Sequence, residues 1–260
     1  MKAIVRAGML LAALFLTACA GITEWVIHKP VDAKKTAELV EARELIDALG
    51  ARNHNLWSFK GTGRFKLWQG GHVLSTRAAW VGSFPDKLRI AVMNPAGQPM
   101  VSLSTDGQYL YMISHSEGEF YKKPSANPTL QRLISIPISA NDIISILTAR
   151  LPIREYHTAE LTTDESGRGY ILTLSRKWRG VTEKIYLDTD KRSVLQVEIF
   201  GASDQLSYRT VFQGKQHVND FELPERIMIS DTEGNRFELE IDKYWTDVPL
   251  MPSIFVLTPP

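Results

Sequence analysis

Between residues 57 and 67 the chain alternates, with Trp57, Phe59, Gly61, Gly63, Phe65 and Leu67 in one set and Ser58, Lys60, Thr62, Arg64 and Lys66 in the other. A period of two sends one set to a dry face and the other to water, as in a half-buried strand. Similar runs follow at residues 74–81, 88–93, 100–104, 109–113 and 119–122. They are punctuated by Gln69-Gly70-Gly71, Phe84-Pro85-Asp86, Asn94-Pro95-Ala96-Gly97, Asp106-Gly107 and Glu117-Gly118, which have the composition of hairpin turns. A second series occupies residues 170–175, 182–187, 194–200, 206–212, 226–230 and 237–241, with Asp188-Thr189-Asp190 and Glu233-Gly234-Asn235 between strands. Many short antiparallel strands in succession predict a mainly β sandwich or barrel.

Helical spacing occurs in two places. Leu39, Ala42, Leu45, Ile46 and Leu49 recur at intervals of three and four, predicting an N-terminal helix over 32–49 with Gly50 as its C-cap. Within 129–149, Ser139 and Asp142 have the spacing of a capping box, Ile143, Ile144 and Leu147 form an apolar stripe, and Leu151-Pro152 ends the segment. A helical insert between two strand series is a candidate lid. With no internal repeat or composition break, residues 32–247 are expected to form one domain, and the Pro-rich residues 248–260 an extended tail, packed along the barrel or loose.

The first residues read differently. Lys2 and Arg6 precede an apolar run over 7–16, too short to span a bilayer core of roughly twenty helical residues. Leu16-Thr17-Ala18-Cys19 then resembles the lipobox of bacterial lipoproteins. Residues 1–18 are therefore expected to be a signal peptide, Cys19 the lipidated residue, and 19–31 a tether reaching roughly 40 Å at most. Cys19 is the sole cysteine, so no intramolecular disulfide can form. Loss of Lys2 and Arg6 turns a formal charge of +1 into −1, and without a long basic stripe nucleic acid is excluded as a partner.

The sequence carries no nucleophile elbow, phosphate loop or zinc-binding His-Glu-x-x-His. His28, His54, His72, His115, His157 and His217 are dispersed, so no helical metal site is encoded locally. Glu117/Glu119 and Asp188/Asp190 lie at predicted turns, where acidic residues serve the backbone. Arg176-Lys177-Trp178-Arg179 fits either an exposed hairpin tip or a contact with anionic headgroups. No enzyme activity, metal or cofactor is expected. The strand aromatics and methionines, with Trp57, Phe59, Phe65, Trp80, Met93, Tyr109, Tyr111 and Phe120 as cavity candidates, have two readings: an ordinary filled core, or a partly filled barrel that accepts an acyl chain.

Several short pieces in fixed order resemble the LolB family of outer-membrane lipoprotein receptors. They are Trp57-Ser58-Phe59-Lys60-Gly61, then Val92-Met93-Asn94-Pro95-Ala96-Gly97-Gln98, then Leu133 through Ile136-Pro137-Ile138 to Leu151-Pro152. Leu223-Pro224-Glu225-Arg226-Ile227 and Phe237-Glu238-Leu239-Glu240-Ile241 complete the series. The resemblance implies an incomplete antiparallel β-barrel of LolA/LolB type with helices over its mouth, and a monomeric lipid-anchored protein on the periplasmic face of the outer membrane. It implies binding of the acyl chains of lipids or lipoproteins, with a LolA-like carrier as the donor. Ala20 after the modified cysteine agrees with outer-membrane sorting, because inner-membrane retention commonly uses Asp there. In the family the loop matching Pro95, Ala96 and Gly97 projects a large apolar residue, usually Leu, for insertion into the membrane; here that position is Ala96. The alternative is a structural or envelope-assembly lipoprotein of the same fold without transfer activity.

Overall fold

The computed structural model describes residues 33–260, with side chains from Glu38 onward. The expected signal peptide, Cys19 and the tether lie outside the described residues. Helix α1 (Ala33–Ala51) leads into six strands: β1 (Ser58–Gln69), β2 (His72–Ser83), β3 (Lys87–Met93), β4 (Pro99–Asp106), β5 (Tyr109–Ser114) and β6 (Glu119–Pro124). Two helices follow, α2 (Gln131–Ile134) and α3 (Ala140–Leu147). The chain then returns to strands β7 (Thr158–Thr163), β8 (Tyr170–Arg176), β9 (Gly180–Leu187), β10 (Val194–Phe200) and β11 (Leu206–Gln213). A small hairpin of β12 (Gln216–Val218) and β13 (Phe221–Leu223) precedes β14 (Arg226–Ser230) and β15 (Arg236–Thr246).

Thirteen strands form one antiparallel sheet in the order β6-β5-β4-β3-β2-β1-β15-β14-β11-β10-β9-β8-β7, and the sheet is not closed. Its two edges, β6 and β7, are consecutive in the chain. The link between them carries α2 and α3. The insert lies over the concave face, where Leu130, Leu133, Ile134, Ile143 and Leu147 meet Phe65, Trp80 and Leu239 of the sheet. Apolar periodicity holds it there: α3 buries Ala140, Ile143, Ile144, Ile146 and Leu147. Ser139 caps it by accepting from the Asp142 N–H at 3.2 Å, as the capping-box spacing predicts.

Alternation in β1 is as expected, with Phe59, Gly61, Gly63, Phe65 and Leu67 buried. The register pairs Phe59 with Gly82 and Gly61 with Trp80. A β-carbon on Gly61 would come within 2.3 Å of the Trp80 indole, and one on Gly82 within 2.2 Å of the Phe59 ring. Each glycine is the space that the facing aromatic fills.

Four expectations are corrected or extended. Gly50 lies inside α1, whereas the left-handed residue beyond the helix is Asn53 at φ +50°. Asn53 suits that position because its amide donates to the carbonyls of Thr148 at 2.9 Å and Glu222 at 3.0 Å, which a glycine could not do. Residues 129–149 hold two helices rather than one, split where Ser135 is left-handed and Pro137 interrupts. Strand β7 and the β12–β13 hairpin have no clear apolar alternation and are additional to the predicted series. Finally, the C-terminal tail packs on the convex face, burying Phe255 and Leu257. The Ser104 hydroxyl donates to the Phe255 carbonyl at 2.7 Å and Arg89 to that of Ile254 at 3.1 Å.

Candidate lipid-binding cavity

Between the concave sheet and the insert lies an apolar cavity of about 40 Å³. Phe65, Ala78, Trp80, Ile90, Val92, Phe237 and Leu239 line it from the sheet, and Leu130, Leu133, Ile134, Ile143 and Leu147 from the insert. Alternation in adjacent strands assembles the sheet side: Phe65 pairs with Leu239 across β1–β15, and Ala78 with Val92 across β2–β3. Ligand pockets commonly measure 300 Å³ or more, so the space under the insert is largely filled by the barrel's own side chains. Of the two readings of the strand aromatics, this conformation realises the packed interior. Trp80 carries the one departure from apolar chemistry, a buried indole N–H with no acceptor among the described residues.

The structure brings together two of the eight cavity candidates, Phe65 and Trp80. Phe59 is in the same core but away from the cavity, stacked on Tyr244 at 6.0 Å between ring centroids. Trp57 precedes β1, exposed, in a T-shaped contact with Phe84. Met93 ends β3, half-buried, beside the turn to β4. Tyr109, Tyr111 and Phe120 lie on the other face, in a cluster with Ile113 and Leu257. The register explains this: Leu110 and Met112 pair with the inward Thr105 and Leu103, which turns their neighbours outward. That outward face is dry because the tail covers it. Burial, then the hydrogen bond from the Tyr111 hydroxyl to Asp106, pushes the Tyr111 pKa up to about 12.

Two polar structures fix the insert, and sequence reading missed both. The Arg150 guanidinium donates to the carbonyls of Asn53 at 3.1 Å, His54 at 2.7 Å and Leu56 at 2.8 Å, clamping the end of the insert to the turn before β1. Inside the barrel, Arg154 meets Asp142 of α3 at 2.7 Å and the Tyr208 hydroxyl at 3.5 Å. Its backbone N–H donates to Glu183 Oε2 at 2.9 Å, while Glu183 Oε1 is buried without a partner among the described residues. Burial, opposed by Arg154, raises the Glu183 pKa to about 7. A signal for this group does exist in the sequence, since Val181, Glu183, Ile185 and Leu187 share one parity and place an acid on an apolar face.

The loop between β3 and β4 has the predicted form. Pro95, Ala96 and Gly97 are exposed, Gly97 is left-handed at φ +81°, and the Asn94 side chain accepts from the Gln98 N–H at 2.9 Å. Trp178, at the turn between β8 and β9, is 92% exposed. No group of three or more His, Cys, Asp or Glu among the described residues is arranged to hold a metal.

No protein-family model and no curated protein matches the chain. Solved structures do. A LolA superfamily protein from Nitrosomonas europaea superposes with a TM-score of 0.57 at 15% identity, over 83% of this chain and 97% of that one. The fold is LolA-like. A DUF1329 family protein from Desulfovibrio piger gives a TM-score of 0.60 at 11% identity, over 84% of this chain and 97% of that one. A domain from Vibrio parahaemolyticus named for outer membrane lipoprotein sorting gives 0.57 at 12% identity, over 84% and 96%. The LolA-like fold thus runs through most of the chain.

Proposed function

We propose that this protein is an outer-membrane lipoprotein, anchored through Cys19, that holds acyl chains of lipids or lipoproteins between its lid and concave sheet. In the fuller form of this reading it acts as LolB does, taking acylated lipoproteins from a LolA-like carrier, and performs no catalysis. The observation that carries the reading is the cavity between the sheet and the helical insert, whose twelve lining side chains are apolar apart from the single indole N–H of Trp80. An acyl chain has no need of polar partners, and each buried methylene is worth about 0.8 kcal/mol. A sixteen-carbon chain therefore offers on the order of 12 kcal/mol to set against lifting the lid. A second reading, an envelope-assembly lipoprotein of the same fold that carries no lipid, is favoured by the cavity's present 40 Å³.

The two separate in cells fed a photoreactive palmitate. On irradiation, the first reading expects label on peptides containing Leu133 or Ile143. Label confined to the lipid anchor, with none on these peptides, would select the second reading.

A further inference from the structure

A second depression, sharing no lining residue with the lid cavity, opens where the end of α1 meets the β9–β10 turn and the β12–β13 hairpin. It has two parts. One is a slot of about 190 Å³ whose apolar wall includes Leu151, Leu195, Phe212 and Leu223. The other is a shallower hollow of about 440 Å³ bordered by Arg52, Lys191, Arg192 and Lys215. Arg52, Lys215 and Glu222 line both, so the slot and the cationic hollow adjoin.

The charges around the hollow are unevenly matched. Lys191 pairs with Glu41, and Lys215 with Glu222 at 3.2 Å. Asp188 accepts from the backbone N–H groups of Arg192 at 2.9 Å and Ser193 at 3.1 Å. Arg52 donates to the Arg192 carbonyl, which fixes the turn to the helix end. Neither Arg52 nor Arg192 has a carboxylate partner among the described residues, and Leu195 stays 46% exposed beside them. An apolar slot opening beside two guanidinium groups without carboxylate partners among the described residues is complementary to an amphiphile with one hydrocarbon chain and an anionic head, since guanidinium forks suit phosphate and carboxylate oxygens.

We infer that this depression is a binding site for a single-chain anionic lipid, its chain in the Leu195–Phe212 slot and its head on Arg52 and Arg192. This goes beyond the lid cavity and does not require it. The test uses the full lipidated chain in phosphatidylcholine vesicles with two lysophospholipids, each carrying a photoreactive acyl chain, one with a phosphoglycerol head and one with phosphocholine.

Labelling of the peptides holding Leu195 and Phe212 is expected to favour the phosphoglycerol probe by about tenfold, the scale of one charge-assisted contact. In Arg52→Gln/Arg192→Gln the preference should vanish while the circular dichroism is unchanged. Equal labelling by both heads overturns the inference, as does label found only on Leu133 or Ile143 peptides, a result that leaves the lid-cavity reading standing. Full displacement of the probe by inorganic phosphate would also overturn it, by making the hollow a site for a free anion. Label at Leu195 with none under the lid supports this site and counts against the other.

Discussion

The ring of Phe59 occupies the space above Gly82, its partner across β1 and β2, where a β-carbon would lie 2.2 Å from the ring. Phe59 is fully buried and stacked on Tyr244, so it cannot swing away without opening the core. Gly82→Ala should therefore destabilise the domain by about 1–3 kcal/mol, the usual cost of overpacking. Urea unfolding would measure it, and the double variant Gly82→Ala/Phe59→Leu should recover part of the loss. Additive costs in the double variant would show that the two residues do not compete for one space.

Glu183 makes the stability of the barrel depend on pH. Its pKa is raised by burial from 4.5 to about 7, so the folded state favours the protonated form. The contribution is fully present below pH 4.5 and is lost as pH rises through about 7. The loss amounts to about 3 kcal/mol at most at 1.36 kcal/mol per unit. Glu183→Gln cannot ionise. Its melting temperature should fall less than wild type's between pH 5 and pH 8, measurable by calorimetry, and parallel profiles would mean that Glu183 does not ionise in this range.

On the proposed receptor reading, Ala96 limits what the β3–β4 loop contributes at a membrane. Pro95, Ala96 and Gly97 are exposed, and Ala96 offers one methyl where an inserting leucine would bring about 2 kcal/mol more apolar contact. In a transfer assay from a lipid-loaded carrier to liposomes, wild type should accept cargo better than it inserts it, and Ala96→Leu should improve insertion. If insertion by wild type is already efficient and survives Met100→Ser, another element is responsible.

Cys19 tests the anchor. Cys19→Ser should abolish palmitate labelling and leave a precursor or a soluble form. Unchanged labelling and membrane fractionation would refute the lipobox assignment.

The strands were legible because each buries one face, so an alternating pattern is enforced along β1 and fixes its boundaries to within two residues. Capping at Ser139 was legible for an equally local reason. The side of the sheet that an aromatic faces was not. Tyr111 and Phe65 both alternate correctly, but the convex face of β5 is as dry as the concave face of β1 because residues far along the chain lie on it. Alternation assigns parity, and only the position of the tail decides which parity faces the lid. The Asp142–Arg154–Glu183–Tyr208 group was hidden similarly, since its members come from a helix, a connection and two non-adjacent strands.

The pairing of β1 with β15 has a consequence for assembly. β1 to β6 form one meander of neighbours in sequence, and β7 to β11 with β14 and β15 form another, so each requires mostly short loops to close. The seam between them joins Phe59 to Thr246, nearly the whole length of the folded chain. Long-range pairings pay their loop entropy before contacts reward it. The first meander can form as soon as β1 to β6 are available, but its β1 edge stays uncovered until the final strand arrives. The centre of the finished sheet is thus, until β15 docks, an open edge that neighbouring chains could pair with.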